Sequence, residues 1–344
     1  MLQYHSKMKT SLLGLHLDEL NNLVKNLNGN TIHVPTIAIS IYKKNIASLD
    51  EIENVPTSLI KSLGNAYCLG KYSPKEIIRS NDGSKKYLFI NEQGQQFESV
   101  FMPSGKRNTL CISTQSGCRM GCKFCLTGKI GFNGSLSTLD ILNQLYSIDE
   151  FAKVNKIVVM GMGEPFDNFE EVKKTITVLA SNWGASFGAS NITISTVGLI
   201  EPLKAFLNDP FGNLAISLSN PLHDERIEIM PIEITNPFIE VVELIKKHPL
   251  KKPLRVSFEY VAISGINISE RHALAIADLL HGIKCHLNII RWNEHNSSNY
   301  KSPADLELNS FIDCLNANGI LTSIRQSRGQ DIGAACGQMA GKRE

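Results

Sequence analysis

From about residue 108 onward, short apolar runs rich in β-branched residues alternate with longer segments of helical periodicity. This alternation constrains the fold strongly, because a strand–helix repeat predicts a parallel sheet covered by helices. Seven runs have strand character: TLCISTQ, KIVVMG, NITISTV, LAISLS, RVSFEYVAI, HLNIIRWN and ILTSIRQ. Helices are predicted between them at 137–150, 168–181, 199–207, 222–230, 237–247, 269–281 and 303–318. Six or more such units favour an α/β fold with a partial (β/α) TIM-like barrel, and a doubly wound open sheet is the alternative.

Residues 1–90 have a different pattern. The segment SLLGLHLDELNNLVKNL has apolar side chains at helical spacing, and its predicted stripe is Leu12, Leu15, Leu20, Leu23 and Leu27. We predict a small helical accessory domain over residues 1–90, followed by a β-hairpin or meander to about 107. The barrel then occupies residues 108–344.

Composition excludes several classes of protein. Apolar residues make up 42% and charged residues 20%, as in ordinary globular proteins. No apolar run is long enough to span a membrane, and the first residues do not resemble a secretory signal, so we predict a cytosolic location. The net charge of +2 does not by itself indicate nucleic acid. Residues 1–90 are mildly basic, with 11 Lys/Arg against 7 Asp/Glu, which suits either RNA contact or an ordinary solvated surface.

Polar clusters follow the predicted strands. In a β/α barrel the carboxyl ends of the strands meet at one face, where active sites form. A cysteine-rich loop follows the first strand and Gly-Met-Gly-Glu follows the second. Ser195 ends the third strand, Ser217-Leu218-Ser219 ends the fourth, and Asn293 ends the sixth. We therefore expect one site to draw on all of these segments.

Three of the eight cysteines, Cys118, Cys122 and Cys125, have the spacing C-x3-C-x2-C. Three thiolates can hold three irons of a 4Fe-4S cube and leave the fourth iron open for the amino and carboxyl groups of S-adenosylmethionine (SAM). This spacing resembles the radical SAM superfamily. The alternative is a zinc site completed by Cys111 or by a distant histidine.

Two further features bear on this site. In GMGEP, residues 161–165, the glycines allow backbone to approach a ligand closely, so Glu164 or its neighbours are candidates to bind SAM; a tight turn is the alternative. Cys336 lies between glycines near the carboxyl end of the chain, which favours a turn over a helix interior. Cys68, Cys285 and Cys314 are interpreted as structural, and taken alone Cys111 also fits that interpretation.

Longer strings extend the resemblance. LCISTQSGCRMGCKFCLTGKIGF, VVMGMGEPFDN, ITISTVGLIEPL, LAISL, NIIRWN and SRGQDIGAACGQM resemble the RlmN/Cfr family of radical SAM 23S rRNA adenine methyltransferases across essentially the whole chain. The pattern is closer to the RlmN branch, which methylates carbon 2 of the adenine. The Cfr-like alternative is methylation at carbon 8.

The resemblance implies a role for each matching residue. Cys336 would carry the methyl group, Cys111 would be its resolving partner and Glu98 would accept the proton. The implied cluster ligands are Cys118, Cys122 and Cys125, and the implied SAM-contacting positions are Gly163, Glu164, Ser195, Ser217, Leu218, Ser219 and Asn293. One position departs from the family, which usually has Ser-Leu-His where this chain has Ser217-Leu218-Ser219.

The implied reaction consumes two SAM molecules per turnover, because carbon 2 of adenine has no lone pair to attack a sulfonium methyl. One SAM methylates the Cys336 thiolate, and the second is cleaved to a radical that takes hydrogen from the S-methyl group. The methylene radical adds to the base. Proton removal and attack by Cys111 then release the product and form a transient disulfide.

The implied partners are 23S rRNA, with tRNA as an additional candidate, and an electron donor such as flavodoxin, for a monomeric enzyme. Two other functions remain open at this point. One is a different radical SAM enzyme, which would need the cluster but neither Cys111 nor Cys336. The other is a non-catalytic RNA-binding protein with a structural metal.

Overall fold

A computed structural model describes residues 9–295 and 297–340. Its strands are β1 (Thr10–Ser11), β2 (Tyr67–Cys68), β3 (Glu76–Arg79), β4 (Lys85–Ile90), β5 (Gln96–Ser104), β6 (Arg107–Cys111), β7 (Gln115–Gly117), β8 (Phe132–Ser135), β9 (Lys156–Val159), β10 (Ile192–Thr196), β11 (Asn213–Ser217), β12 (Val256–Ala262), β13 (His286–Arg291) and β14 (Thr322–Arg325). Its α-helices are α1 (Leu17–Asn26), α2 (Val34–Ala38), α3 (Thr57–Ala66), α4 (Leu126–Lys129), α5 (Thr138–Tyr146), α6 (Phe169–Ala180), α7 (Ile200–Asn208), α8 (His223–Ile229), α9 (Phe238–Lys247), α10 (Glu270–Leu280) and α11 (Asp305–Ala317).

The main sheet has ten strands in the order β14-β13-β12-β11-β10-β9-β6-β5-β4-β3. Seven of these strands, β6 and β9–β14, are parallel to one another. β7 and β8 form a separate sheet, and each of the seven pairs with the one that precedes it in the chain. A doubly wound sheet would reverse its strand order at a switch point, and this sheet does not. The order confirms the predicted α/β class and favours the barrel-type arrangement over the doubly wound alternative.

The β3–β5 meander lies in the same sheet as the barrel strands. β3, β4 and β5 pair antiparallel, and β5 pairs with β6, so the meander extends the barrel sheet on one side. Its turns contain Gly83 and Gly94, both with positive φ, at the two predicted turn positions.

The N-terminal segment is helical as far as Ala66. Helix α1 begins only at Leu17, so the predicted stripe is divided: Leu20 and Leu23 are buried on the helix, whereas Leu12 is buried in the loop before it. Tyr42 donates a hydrogen bond to the Leu15 carbonyl at 2.6 Å, which holds that loop against the helices. The buried side chains of this segment form one continuous core with those of the barrel.

After β14 the chain returns across the open side of the barrel sheet. Asp331 accepts hydrogen bonds from the Ser80 hydroxyl (2.6 Å) and the Asn81 amide (3.1 Å), and the Gly329 amide donates to Asp82 at 2.9 Å. Residues 326–340 are thereby fastened to the β3–β4 turn, which brings Cys336 over the barrel. Within the described ranges, no helix combines the length and apolar character needed to cross a membrane.

Candidate active site

One cavity lies at the carboxyl ends of the parallel strands, where the barrel prediction placed the site. Most of the predicted site residues line it: Cys118, Cys122, Cys125, Gly163, Glu164, Ser195, Ser217, Ser219, Asn293 and Cys336. Glu98, Cys111 and Leu218 do not line it. The structure thus brings together segments that are more than 200 residues apart in the chain.

The cysteine loop is enclosed by the two-stranded β7–β8 sheet. Gly117 has a φ of +74°, and a Cβ there would lie 1.7 Å from the Gly131 carbonyl oxygen, so only glycine fits. The Cys118 amide donates to that carbonyl at 3.0 Å. This close approach closes the loop and turns its cysteines toward the cavity.

The surroundings of the three thiols disfavour their charged forms. Burial raises the pKa of Cys118 to about 12 and raises those of Cys122 and Cys125, and the charges of the neighbouring thiolates add to the effect on each. The backbone amides of Gly128 and Thr127 point toward the Cys125 sulfur. Three buried, mutually repelling thiolates are stable only beside positive charge, which an iron cluster supplies.

Zinc and a 4Fe-4S cluster make different demands on the three thiolates. Thiolates on one zinc lie about 4 Å apart, since each Zn–S bond is about 2.3 Å. Across residues 9–295 and 297–340, no three His, Cys, Asp or Glu side chains are placed to hold one metal ion. In a 4Fe-4S cube each thiolate binds its own iron, so the three thiolates need not meet at one ion.

Gly163 and Glu164 form the second wall. Gly163 has a φ of +99°, and a Cβ there would lie 2.5 Å from the Gln115 Cβ and 2.8 Å from its backbone nitrogen. The Glu164 carboxylate accepts from the Val197 amide (2.9 Å) and the Phe166 amide (3.0 Å), and burial raises its pKa to about 7. Both of its oxygens are engaged within the protein. Glu164 therefore ties the ends of β9 and β10 together beneath the cavity.

The third wall is the end of β11. Ser219 is fully buried with a φ of +50°, and its hydroxyl has no hydrogen-bond partner among the described residues. A buried hydroxyl that lines a cavity without a partner fits a polar ligand. Leu218 instead packs in the core, so only its backbone is near the site.

Sequence reasoning missed Arg226, which fixes this wall. Its side chain is 1% exposed and donates to the carbonyls of Ser217 (3.1 Å) and Leu218. Its Nε pairs with Glu233 at 2.8 Å. The charged pattern HDERIEI on an amphipathic helix gave no sign that this arginine points inward.

Asn293 and the C-terminal segment form the fourth wall. The Asn293 amide donates to the Cys336 carbonyl at 3.0 Å, and its oxygen accepts from Gln330 at 2.7 Å. The Leu126 amide, next to Cys125, donates to the Gly337 carbonyl at 2.8 Å. Cys336 lies in a turn, is exposed to solvent and lines the cavity. These bonds place it directly beside the cysteine loop.

Cys336 also lines a second, smaller cavity that contains Cys111 and Arg325. Cys111 is the last residue of β6, and burial, with the Cys336 charge, raises its pKa to about 12. Arg325 lines both cavities, and its guanidinium contacts the Met160 sulfur at 3.1 Å and Glu259 at 3.5 Å. Arg325 was also missed by sequence reasoning. The positive charge of Arg325 offsets part of the increase in the pKa of Cys111.

Glu98 lies apart from the cysteine cavity. It lines a neighbouring cavity with Lys86 and Gln338, pairs with Lys86 at 3.1 Å and accepts from the Ala340 amide at 3.1 Å. Its strand neighbour Val100 pairs with Cys111 across β5 and β6. Because side chains two apart on a strand share a face, Glu98 and Cys111 lie diagonally on the same face of the sheet.

Comparison with known proteins agrees with this geometry. Residues 112–276 match the family model of the radical SAM superfamily. The chain is 40% identical over 333 residues to the probable dual-specificity RNA methyltransferase RlmN of Phocaeicola vulgatus, covering 96% of this chain and 95% of that one. It is 34% identical to the dual-specificity RNA methyltransferase RlmN of Syntrophobacter fumaroxidans, over 94% and 96% of the two chains.

A solved structure is similar throughout. A radical SAM methyltransferase from Sphaerobacter thermophilus superposes with a TM-score of 0.90 and 33% identity, covering 96% of this chain and 99% of that chain. The similarity therefore includes the N-terminal helices, the meander and the C-terminal segment as well as the barrel. Membership of the superfamily implies a 4Fe-4S cluster and SAM as cofactors. The cysteine cavity, the fold and the full-length relatives together show that this chain belongs to the RlmN family of the radical SAM superfamily.

Proposed function

We propose that this protein methylates carbon 2 of an adenosine in 23S rRNA and that it also accepts tRNA, in keeping with the dual specificity named for its relatives. The observation that carries the proposal is the position of Cys336. This residue lines both the cavity of the three cluster cysteines and the cavity of Cys111. A methyl carrier needs access to both, because it is loaded beside SAM and released by a resolving thiol.

The cofactors, when bound by Cys118, Cys122 and Cys125, supply the carbon radical chemistry of the reaction. The protein's own residues position and release the methyl group. The Cys336 thiolate takes a methyl from SAM, and two SAM molecules are used for each RNA product. Asn293 holds the backbone at Cys336, and the buried wall around Ser219 excludes water from the cavity.

Release from the RNA requires a base and a second thiol. The Glu98 carboxylate, which pairs with Lys86 at 3.1 Å, accepts the proton from carbon 2. The Cys111 thiolate attacks the Cys336 sulfur, so that an S–S bond forms and the bond from sulfur to the transferred carbon breaks. We propose that the enzyme works in the cytosol, where its proposed RNA substrates are found, and that it acts as a monomer with a flavodoxin-type electron donor.

The test is mass spectrometry of nucleosides from cells that lack their own adenine-methylating enzyme of this type. Expression of the protein should produce 2-methyladenosine in both 23S rRNA and tRNA digests. Cys336→Ala should abolish the product, whereas Cys314→Ala, a half-buried cysteine on the outer helix α11, should retain it. The appearance of 8-methyladenosine, or of neither nucleoside, would contradict the proposal.

A further inference from the structure

The outer surface of the cysteine loop is basic. Residues 99–139 contain five Lys/Arg and no Asp or Glu. Three of the five, Arg119, Lys123 and Lys129, lie on the loop itself and are exposed. Arg119 and Lys123 directly follow Cys118 and Cys122, so these cations lie one residue from the cluster ligands. We call Arg119, Lys123, Lys129, Ile130 and Phe132 the loop surface.

One cation of the loop surface has a close partner: Arg119 pairs with Asp167 at 2.8 Å. The two lysines are less compensated. Lys123 is 52% exposed, and its carboxylate partner, Glu228, lies 3.5 Å away and is 78% exposed. Exposed pairs of this kind contribute little and are screened by salt. Lys129 donates to the carbonyl of Ser297, which is an uncharged acceptor. The surface presents positive charge to an approaching partner.

Apolar side chains lie among these cations. Ile130 is 48% exposed and Phe132 is 37% exposed. The Arg119 guanidinium covers one face of the Phe132 ring at 3.8 Å, so that face is not available to stack a nucleobase. An apolar centre with a charged rim is the usual anatomy of a protein–protein interface. Weak electron-transfer complexes are small, below about 1,200 Å² of buried area, so a few such residues can make up much of one.

We propose that the loop surface is the docking site for an acidic one-electron carrier protein. The inference rests on the proposed function, since it requires the cluster that the neighbouring cysteines bind. The carrier loses one electron and the cluster gains it, and no bond or proton is exchanged. Complementary charge steers the encounter, and Ile130 and Phe132 provide the apolar contact that orients the carrier over the cluster.

The test uses the reconstituted holoenzyme and reduced flavodoxin as the probe. In Lys123→Glu/Lys129→Glu, the rate constant for cluster reduction by flavodoxin should fall about tenfold or more at low ionic strength. The difference should shrink to about twofold in 0.5 M salt, because screening shortens the range of the charges. Reduction by dithionite should be unchanged, and so should the iron content. The matched control is Lys106→Glu/Lys153→Glu. It makes the same charge change on exposed lysines that precede β6 and β9, at the amino ends of these strands and not at the carboxyl ends where the cavity lies.

A second variant guards against damage to the cluster loop. Lys129→Glu/Ile130→Asp leaves the residues next to the cysteines intact and should show the same selective loss. Equal flavodoxin rates for these variants and the wild type would overturn the docking proposal while leaving the methylation activity with dithionite intact. A loss of RNA affinity with normal flavodoxin reduction would assign the surface to RNA and would equally overturn it. Failure of the proposed function looks different, because RNA methylation is then absent with either reductant.

Discussion

Release of the RNA by Cys111 should become about tenfold faster for each unit of pH between 7 and 9. The Cys111 thiol is buried beside Cys336, and its pKa is raised to about 12. The thiol form therefore dominates throughout this range, and the thiolate that attacks Cys336 increases in proportion to hydroxide. In the RNA-linked protein the sulfur of Cys336 is an uncharged thioether, so burial alone holds the pKa of Cys111 above its ordinary value and keeps the thiolate a minor form. Removing the positive charge with Arg325→Met should slow the release further.

The assay is a single turnover followed by acid quenching at intervals and separation of free from protein-bound RNA on denaturing gels. The decay of the covalent protein–RNA species gives the rate of release at each pH. Cys314→Ala, which leaves both reacting thiols in place, should reproduce the wild-type profile. A plateau below about pH 8.5, or a decay rate independent of pH, would refute the assignment of the buried Cys111 thiol to this step.

Three further variants test the walls of the cavity. Gly163→Ala combines backbone strain of about 1–2 kcal/mol with overpacking of about 1–3 kcal/mol. Scanning calorimetry should therefore show a clearly lowered Tm, and titration calorimetry should show that SAM binding is lost. A wild-type Tm would count against the close approach to Gln115. Asn293→Ala leaves the Cys336 carbonyl without the amide donor of Asn293, so methylation of Cys336 by SAM should slow while the iron content is unchanged. An unchanged rate would show that Asn293 does not position Cys336. Arg226→Met removes the arginine from the buried Glu233 carboxylate, which keeps His223 and the Phe238 amide as partners, and should cost about 3–5 kcal/mol in urea unfolding. Arg226→Met/Glu233→Gln should recover part of this loss, and equal stability of the wild type and both variants would contradict the buried pair.

The barrel could be predicted because its strands are buried on both faces. A buried parallel strand has a continuous apolar run, so the run KIVVMG coincides with β9 at Lys156–Val159. The same logic placed polar residues at strand ends, and Ser195, Ser217 and Asn293 do line one cavity. The local sequence pattern was sufficient to predict a residue's position wherever its surroundings are set by the strand on which it lies.

Other features depend on contacts between distant segments. Leu12 fits the helical spacing of α1, yet it lies before the helix, because the chain first pairs β1 with β2. The resemblance implied a role for Glu98 but not its surroundings, and Lys86 and the Ala340 amide hold it in a neighbouring cavity. The inward positions of Arg226 and Arg325 are set by partners on other elements, Glu233 and Glu259. No periodicity in the sequence encodes such pairings.

The relay of a methyl group from the cluster cavity to RNA through Cys336 is tested most directly in Cys111→Ala. After anaerobic reaction with SAM, a reductant and RNA, the protein should be digested with nuclease and protease and its peptides analysed by mass spectrometry. The account predicts an adenosine joined through one carbon to the sulfur of Cys336, accumulating because no thiol resolves it. Free methylated RNA formed at the wild-type rate, with Cys336 unmodified, would contradict it.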